Sequence, residues 1–298
     1  MIDIWQALFT SITRVTTKYD AIVASLVNRV QSNANDITSL QNCVTQNRSF
    51  IENQYTDGKE LSQYSWNELA QIAKDGTSQR YDIHVGDYKT ITVGSYSFKM
   101  VIYAIDSYTG AYHDGVKIGH HFDWISEELY PERWTWKGAS NNNGDASDGC
   151  PYPVSELFTQ LNYSLLPLLP SDLKAVIIDK WLMVESRYSP VGRLSSSTES
   201  IWRNIGKLWV PTEYEVFGSV IRGTKPHSAG QAIQYVPFTG NCLKRIKTYG
   251  RNGNPEPWWL LTVNDGDSVN ICTVSTAGAI APNDASNELA VPICFRIG

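Results

Sequence analysis

Residues 12–51 read ITRVTTKYDAIVASLVNRVQSNANDITSLQNCVTQNRSFI. One set of positions in them is spaced by alternating threes and fours: Ile12, Val15, Tyr19, Ile22, Leu26, Val30, Asn33, Ile37, Leu40, Val44, Asn47 and Ile51. That spacing is the a/d seam of a heptad repeat. The one departure, an extra step of four from Leu26 to Val30, is a stutter, which locally unwinds a supercoil without ending it. No Pro or Gly stands between Ile2 and Gly58, so nothing in the stretch breaks a helix. Forty residues at 1.5 Å each make a rod of roughly 60 Å. So narrow a stripe on so long a helix needs partner helices, and the stretch is predicted to form a coiled coil.

The polar members of the seam bear on strand number. Asn33 and Asn47 fall at d, where a buried Asn fixes register and oligomer state at some cost in stability. β-branched residues fill most a sites, and Val15 and Ile22 occupy d, where Leu would favour two strands; the pattern favours a parallel homotrimer. The alternative is an antiparallel hairpin that folds back on its own domain, with its turn at Gln31-Ser32-Asn33-Ala34-Asn35-Asp36. Asn at d resembles the trimeric stalks of bacterial adhesins and phage fibres, in which such side chains ring an anion.

The remaining chain has room for one globular domain of about 230 residues. A net charge of -5 with 18% charged residues provides no basic surface for nucleic acid. The start, Met1-Ile2-Asp3-Ile4-Trp5, lacks the basic region of a signal peptide, and no stretch approaches a membrane span. The odd set of five cysteines (Cys43, Cys150, Cys242, Cys272, Cys294) lacks metal spacing. These read as buried thiols of a protein made in a reducing cytoplasm. Together with an adhesin-like stalk, this points to a virus particle.

In chain order, Asp3 and Gln6 open the first helix and present Trp5 and Phe9 as a foot for a larger assembly or as the cap of the bundle. Residues 55–64, with Asp57-Gly58, read as a hinge. Ser65 with Glu68 is a capping box for a short helix ending at Gly76. Lys89 to Ile105 alternates around Gly94-Ser95 as a β-hairpin. From Ser155 a helix carries Leu157, Leu161 and Leu165, and Pro170-Ser171-Asp172 starts another that runs into a strand over 177–184. Thr212 with Glu215 is a second capping box. Strands over 258–263, 269–274 and 291–297 read as a closing meander. The expected organisation is a stalk and foot (1–54), a hinge (55–64) and an α+β head with an antiparallel sheet and long loops (65–298).

Several segments agree in order with one family. They are Tyr64-Ser65-Trp66-Asn67-Glu68, Gly86-Asp87 with Lys89, His113-Asp114, Leu169 to Lys174, Leu208 to Glu215, Trp258-Trp259-Leu260 and Ile293-Cys294-Phe295-Arg296-Ile297. In these the chain resembles an uncharacterised domain family of gut Gram-positive bacteria and their phages. Where that family has Trp-Trp-Leu-Arg-Ser, this chain has Leu261-Thr262 after Leu260, so whatever the Arg does is lost. Its Gly-Val-Arg-Pro ending is replaced by Ala290-Val291-Pro292. The family is similar in pattern to C-type-lectin-like folds, which implies a display head without implying an activity.

Candidate chemistry is thin. His120-His121 with Asp123 has metal-ligand residue types, but neighbours on a strand point to opposite faces. Asn141 to Asp148 is oxygen-rich, yet its Gly sits at position four rather than six of an EF-like loop. Asn264-Asp265 with Asp267 and Asn270 has the oxygen ligands of a Ca²⁺ loop but reads as a hairpin turn, which Asp265-Gly266 between two strands supplies. Glu127-Glu128 point apart, and no Ser-His-Asp or Cys-His spacing stands out. Aromatic and amide side chains suit saccharide stacking, which nominates Trp134, Trp136, Asn141, Asn143, Asp145, Tyr152, Asn264 and Asp265. No metal or cofactor is expected. The sequence therefore predicts a non-enzymatic homotrimeric virion fibre, attached to other virion proteins through its N-terminus and binding a host-surface glycan or protein with its heads. A virion-borne polysaccharide hydrolase and a ligand-free decoration protein are the alternatives.

Overall fold

The computed structural model describes residues 2–56, 58–113, 116–141, 150–186, 188–189, 192–193, 199–223, 233–240, 242–250 and 252–298. The chain divides into two compact units, Met1–Asn53 and Gln54–Gly298.

The first unit lies within one α-helix, α1 (Ile2–Thr56, 55 residues). It passes through residues 31–36 without a turn, so the hairpin turn expected there does not form: five polar residues and an alanine, without Gly or Pro, are still compatible with helix. Thr10, Thr13, Thr16 and Thr17 turn their hydroxyls back onto the carbonyls four residues earlier, which satisfies them within the helix. Ile12, Val15, Ile22, Leu26, Val30 and Ile37 are all exposed on it. The side chains of Leu40, Val44, Asn47 and Ile51 lie outside the described residues.

In the second unit the order is α2 (Trp66–Lys74), β1 (Tyr88–Val93), β2 (Tyr96–Ile105), β3 (Tyr112–His113), β4 (Val116–Lys117), β5 (Phe122–Leu129) and β6 (Trp134–Thr135). Then come α3 (Glu156–Thr159), α4 (Ser171–Val176), β7 (Ile177–Ile178), β8 (Trp181–Ser186), β9 (Tyr188–Ser189), β10 (Gly192–Arg193) and β11 (Glu199–Asn204). Last are α5 (Glu213–Phe217), β12 (Trp258–Val263), β13 (Asn270–Val274), β14 (Ile280–Asp284), β15 (Glu288–Leu289) and β16 (Pro292–Ile297). Local signals explain much of this. Both capping boxes form, Ser65 with Glu68 and Thr212 with Glu215. The β1–β2 hairpin turns at Gly94, whose φ of 60° suits a residue without Cβ.

The main sheet has the order β1-β2-β5-β16-β7, every neighbouring pair antiparallel. Here the predicted meander is corrected. β12, β13 and β14 form their own three-stranded sheet, and β16 leaves it to pair between β5 and β7. The predicted strand over 177–184 is also two strands, β7 and β8, broken at Asp179-Lys180. Trp66 of α2 packs edge-on against Trp124 at 5.1 Å and Phe295 at 5.7 Å, which fastens the helix to the middle of the sheet.

Between α3 and α4, residues 160–165 form a π-helical turn with Leu157, Leu161 and Leu165 all buried. It directs Asn162 outward from the helix, where Oδ1 accepts from Lys207 and Leu208 N–H and Nδ2 donates to Leu208 O. The segment Lys59–Tyr64 is bonded to the head: Lys59 N–H donates to Asp87 Oδ1, Leu61 N–H donates to Tyr88 O, and Tyr88 N–H donates to Lys59 O at the edge of β1.

Candidate functional site

The sequence of β5 begins Phe122-Asp123-Trp124, and that of β16 ends Phe295-Arg296-Ile297: one charge inside each apolar run. Pairing places Arg296 opposite Asp123. Arg296 Nε donates to Asp123 Oδ1 at 2.7 Å and Nη2 to Oδ2 at 2.9 Å, and neither side chain is more than 2% exposed. This planar two-point contact is the geometry Arg offers a carboxylate.

A second pair sits beside it. Lys180, in the break between β7 and β8, donates to Glu215 Oε1 at 2.7 Å and to Tyr235 OH at 2.6 Å. Its ammonium also lies 3.5 Å from the Trp209 ring centre. Glu215 is the capping-box residue of α5, so Oε2 holds the start of that helix while Oε1 takes the lysine. Tyr235 OH donates to Asp123 Oδ2 at 2.9 Å and joins the two pairs. Two carboxylates and two cations balance in charge, which is what makes so much buried charge tolerable.

Burial alone would raise the Asp123 pKa; Arg296 first and Lys180 second outweigh it and hold the carboxyl well below the usual range. Burial and the nearby Asp123 and Glu215 push the Tyr235 hydroxyl far above its ordinary value, so it remains a donor.

The loop after β2 closes over the cluster in a strained backbone, with φ of 59° at Asp106 and 62° at Tyr108. Those turns deliver Ser107 Oγ to Asp123, Arg296 Nη2 and His121 Nε2, and Tyr108 OH to Glu215. His121 is depressed to about 4, mainly by burial and then by Arg296. Neutral, with Nδ1–H on Gly119 O, its Nε2 is an acceptor that competes with Asp123 for the single Ser107 proton. Ser107, His121 and Asp123 thus meet although their spacing gave no sign of it. Yet Asp123 contacts the serine rather than the imidazole Nδ1, and all three are buried. The arrangement holds the loop, the sheet and α5 together.

His120 turns the other way, to Asp106 at 2.7 Å, so the two histidines do not converge. Among the described residues no group of His, Cys, Asp and Glu is placed to hold a metal ion.

The nominated ligand residues are dispersed. Trp134, Trp136 and Tyr152 are core side chains, at 8%, 0% and 1% exposure. They show no face to a ligand, because β6 pairs with β15 and Trp136 lies under α3. Asn264 and Asp265 belong to the β12–β13 turn: Asn264 N–H bonds Asn270 O, and Asp267 gathers the backbone N–H groups of Val269 and Asn270. Asn141 N–H bonds Ala139 O. Asn143 and Asp145 lie outside the described residues.

Sequence reasoning missed a further buried carboxylate, Glu213, whose oxygens accept the backbone N–H groups of Ile221, Arg222 and Gly223. It also missed a cleft of about 90 Å³ near Lys99, Glu127, Lys244 and Tyr103, in which both lysines pair with Glu127 at 3.2 and 3.3 Å. Behind Tyr103 the fully buried Lys247 is lowered to about 8 by desolvation and donates to Ser126 O. Cys150, Cys272 and Cys294 are buried. Among the described residues no helix is long and apolar enough to cross a membrane.

Neither a curated protein nor a solved structure matches the chain. A family model does match, over residues 128–298, which takes in β16 with Arg296, Lys180 and the α5 box but begins after Asp123. That span is more than half of the chain, and the protein belongs to the DUF6273 family, a domain of unknown function.

Proposed function

We propose that this protein is a trimeric virion fibre: a coiled-coil stalk anchored to the particle through its N-terminal end, carrying heads that adhere to a glycan or protein on the host surface. The observation that carries this reading is the α1 seam. Ile12, Val15, Ile22, Leu26, Val30 and Ile37 are each more than half exposed on an unbroken helix. Heptad spacing identifies what should cover them, which is the same seam of other copies. Asn33 at d and the β-branched residues at a favour three copies.

Ile4, Trp5, Leu8 and Phe9 are exposed as well, and they widen the apolar stripe at one end beyond what a/d packing uses. That surplus suits docking to another virion protein. The Asp123–Arg296 and Lys180–Glu215 charges are paired inside the core, so adhesion is assigned to the head's surface.

The test is the solution mass of the full chain by light scattering. Three chains of 33.4 kDa give about 100 kDa. A monomer at all concentrations would remove the stalk, and with it the basis for a fibre.

A further inference from the structure

Nine tryptophans lie in the head, and seven of them are buried; Trp181 and Trp202 alone reach solvent. They stand on one hairpin. In the β8–β11 register Trp202 pairs with Met183 and Trp181 with Asn204, so both indoles project from the same face, diagonal to each other. His113, from β3, lies flat on Trp181 at 4.0 Å with 10° between the planes, and at 6.1 Å from Trp202. It is 8% exposed, and its Nδ1 has no hydrogen-bond partner. A buried ring nitrogen left without a partner beside two part-exposed indoles is where a ligand hydroxyl would be worth most.

We propose that Trp181, Trp202 and His113 form a binding site for a neutral pyranose ring, stacked on the indoles and hydrogen-bonded at His113 Nδ1. The charge on the face decides for a neutral ligand. Of its strand residues (Trp181, Met183, Glu185, Ser200, Trp202, Asn204) only Glu185 carries an ionisable side chain, and its Oε1 already accepts Val263 N–H at 2.9 Å. No cation among these would attract a phosphate or an acidic sugar. An aromatic patch of two indoles with one hydrogen-bonding nitrogen matches the C–H face and hydroxyl rim of a hexose. The site replaces the buried Trp134 and Trp136 as the stacking surface, and it rests on the adhesive reading of the head.

The experiment is saturation-transfer NMR on the full chain with the methyl pyranosides of glucose, galactose, N-acetylglucosamine and rhamnose, and with a proline decapeptide as the competing aromatic-stacking ligand. At least one pyranoside should show transfer to its ring protons. Trp181→Ala and Trp202→Ala should each weaken binding about tenfold or more, Trp202→Phe should restore part of it, and His113→Phe should weaken it while keeping the stack. Circular dichroism controls for folding. Transfer that survives both alanine variants overturns the site and leaves the head a saccharide binder. No transfer from any pyranoside overturns the site and the glycan half of the adhesive reading together. Binding of the decapeptide alone makes the face a peptide groove and overturns the saccharide assignment.

Discussion

Arg296 grips Asp123 through two parallel hydrogen bonds of 2.7 and 2.9 Å in a place where neither side chain meets solvent. Removing one partner of such a pair strands the other charge. Arg296→Met should therefore cost about 3–5 kcal/mol, measured by urea unfolding of the full chain. Arg296→Met combined with Asp123→Leu should recover much of that loss, since the uncompensated charge disappears. Because Asp123 is held below its unfolded pKa, the stability it contributes is complete above about pH 4 and is lost as the pH falls further.

His121 sets an earlier acid limit. Its folded value near 4 lies below the ordinary 6.5, so between these pH values the unfolded chain binds a proton that the folded chain refuses. Stability should fall as pH drops through that window, by up to roughly 3 kcal/mol. His121→Gln, which keeps a polar side chain for Ser107, should flatten the slope. Thermal midpoints taken from pH 7 to pH 4 check this, and an unchanged slope in the variant would place the titration elsewhere.

Trp136 should behave as a core residue. Trp136→Ala should destabilise the head by about 3–5 kcal/mol. Trp136→Phe should cost less, because the indole N–H has no partner to lose. Chemical denaturation of both variants is the measurement.

The stalk makes a separable prediction. Ile22→Asp with Leu26→Asp should reduce the mass from about 100 kDa to the 33.4 kDa of one chain, with the head's near-ultraviolet dichroism unchanged. Asn33→Leu should raise the midpoint of the stalk's melting and broaden the oligomer distribution, since the residue that fixes register is gone.

Elements set by neighbours in sequence were legible. The long helix follows from its heptad spacing and lack of breakers, and the two short helices from Ser65 with Glu68 and Thr212 with Glu215. Long-range pairings were not. Nothing near Val291–Ile297 says that it leaves the meander for a place beside β5, because an apolar run carries no address. The charge cluster did leave a signal: a single Asp in Phe122-Asp123-Trp124 and a single Arg in Phe295-Arg296-Ile297, each flanked on both sides by large apolar residues. Two such interruptions of opposite sign imply that the strands meet. The tryptophans misled for the opposite reason. Composition identifies aromatic residues without saying which of them the sheets bury: Trp134 and Trp136 lie in the core, while Trp181 and Trp202 reach solvent.

On the trimeric fibre reading proposed above, the position of β16 has a consequence for how such a fibre would come into being. Its Arg296 meets Asp123 across 173 residues of chain, and the strand fills the gap between β5 and β7. A ribosome adding about 5–20 residues per second needs roughly 10–30 s to cover that distance. Throughout the interval the sheet stands open and Asp123 lacks its arginine, while the helix made first is already outside the tunnel. Helices form in about a microsecond, so neighbouring nascent chains on one message have time to find each other by their stalks before any head can close. Assembly would then precede folding, and three unfinished heads would complete themselves on a scaffold that already counts to three.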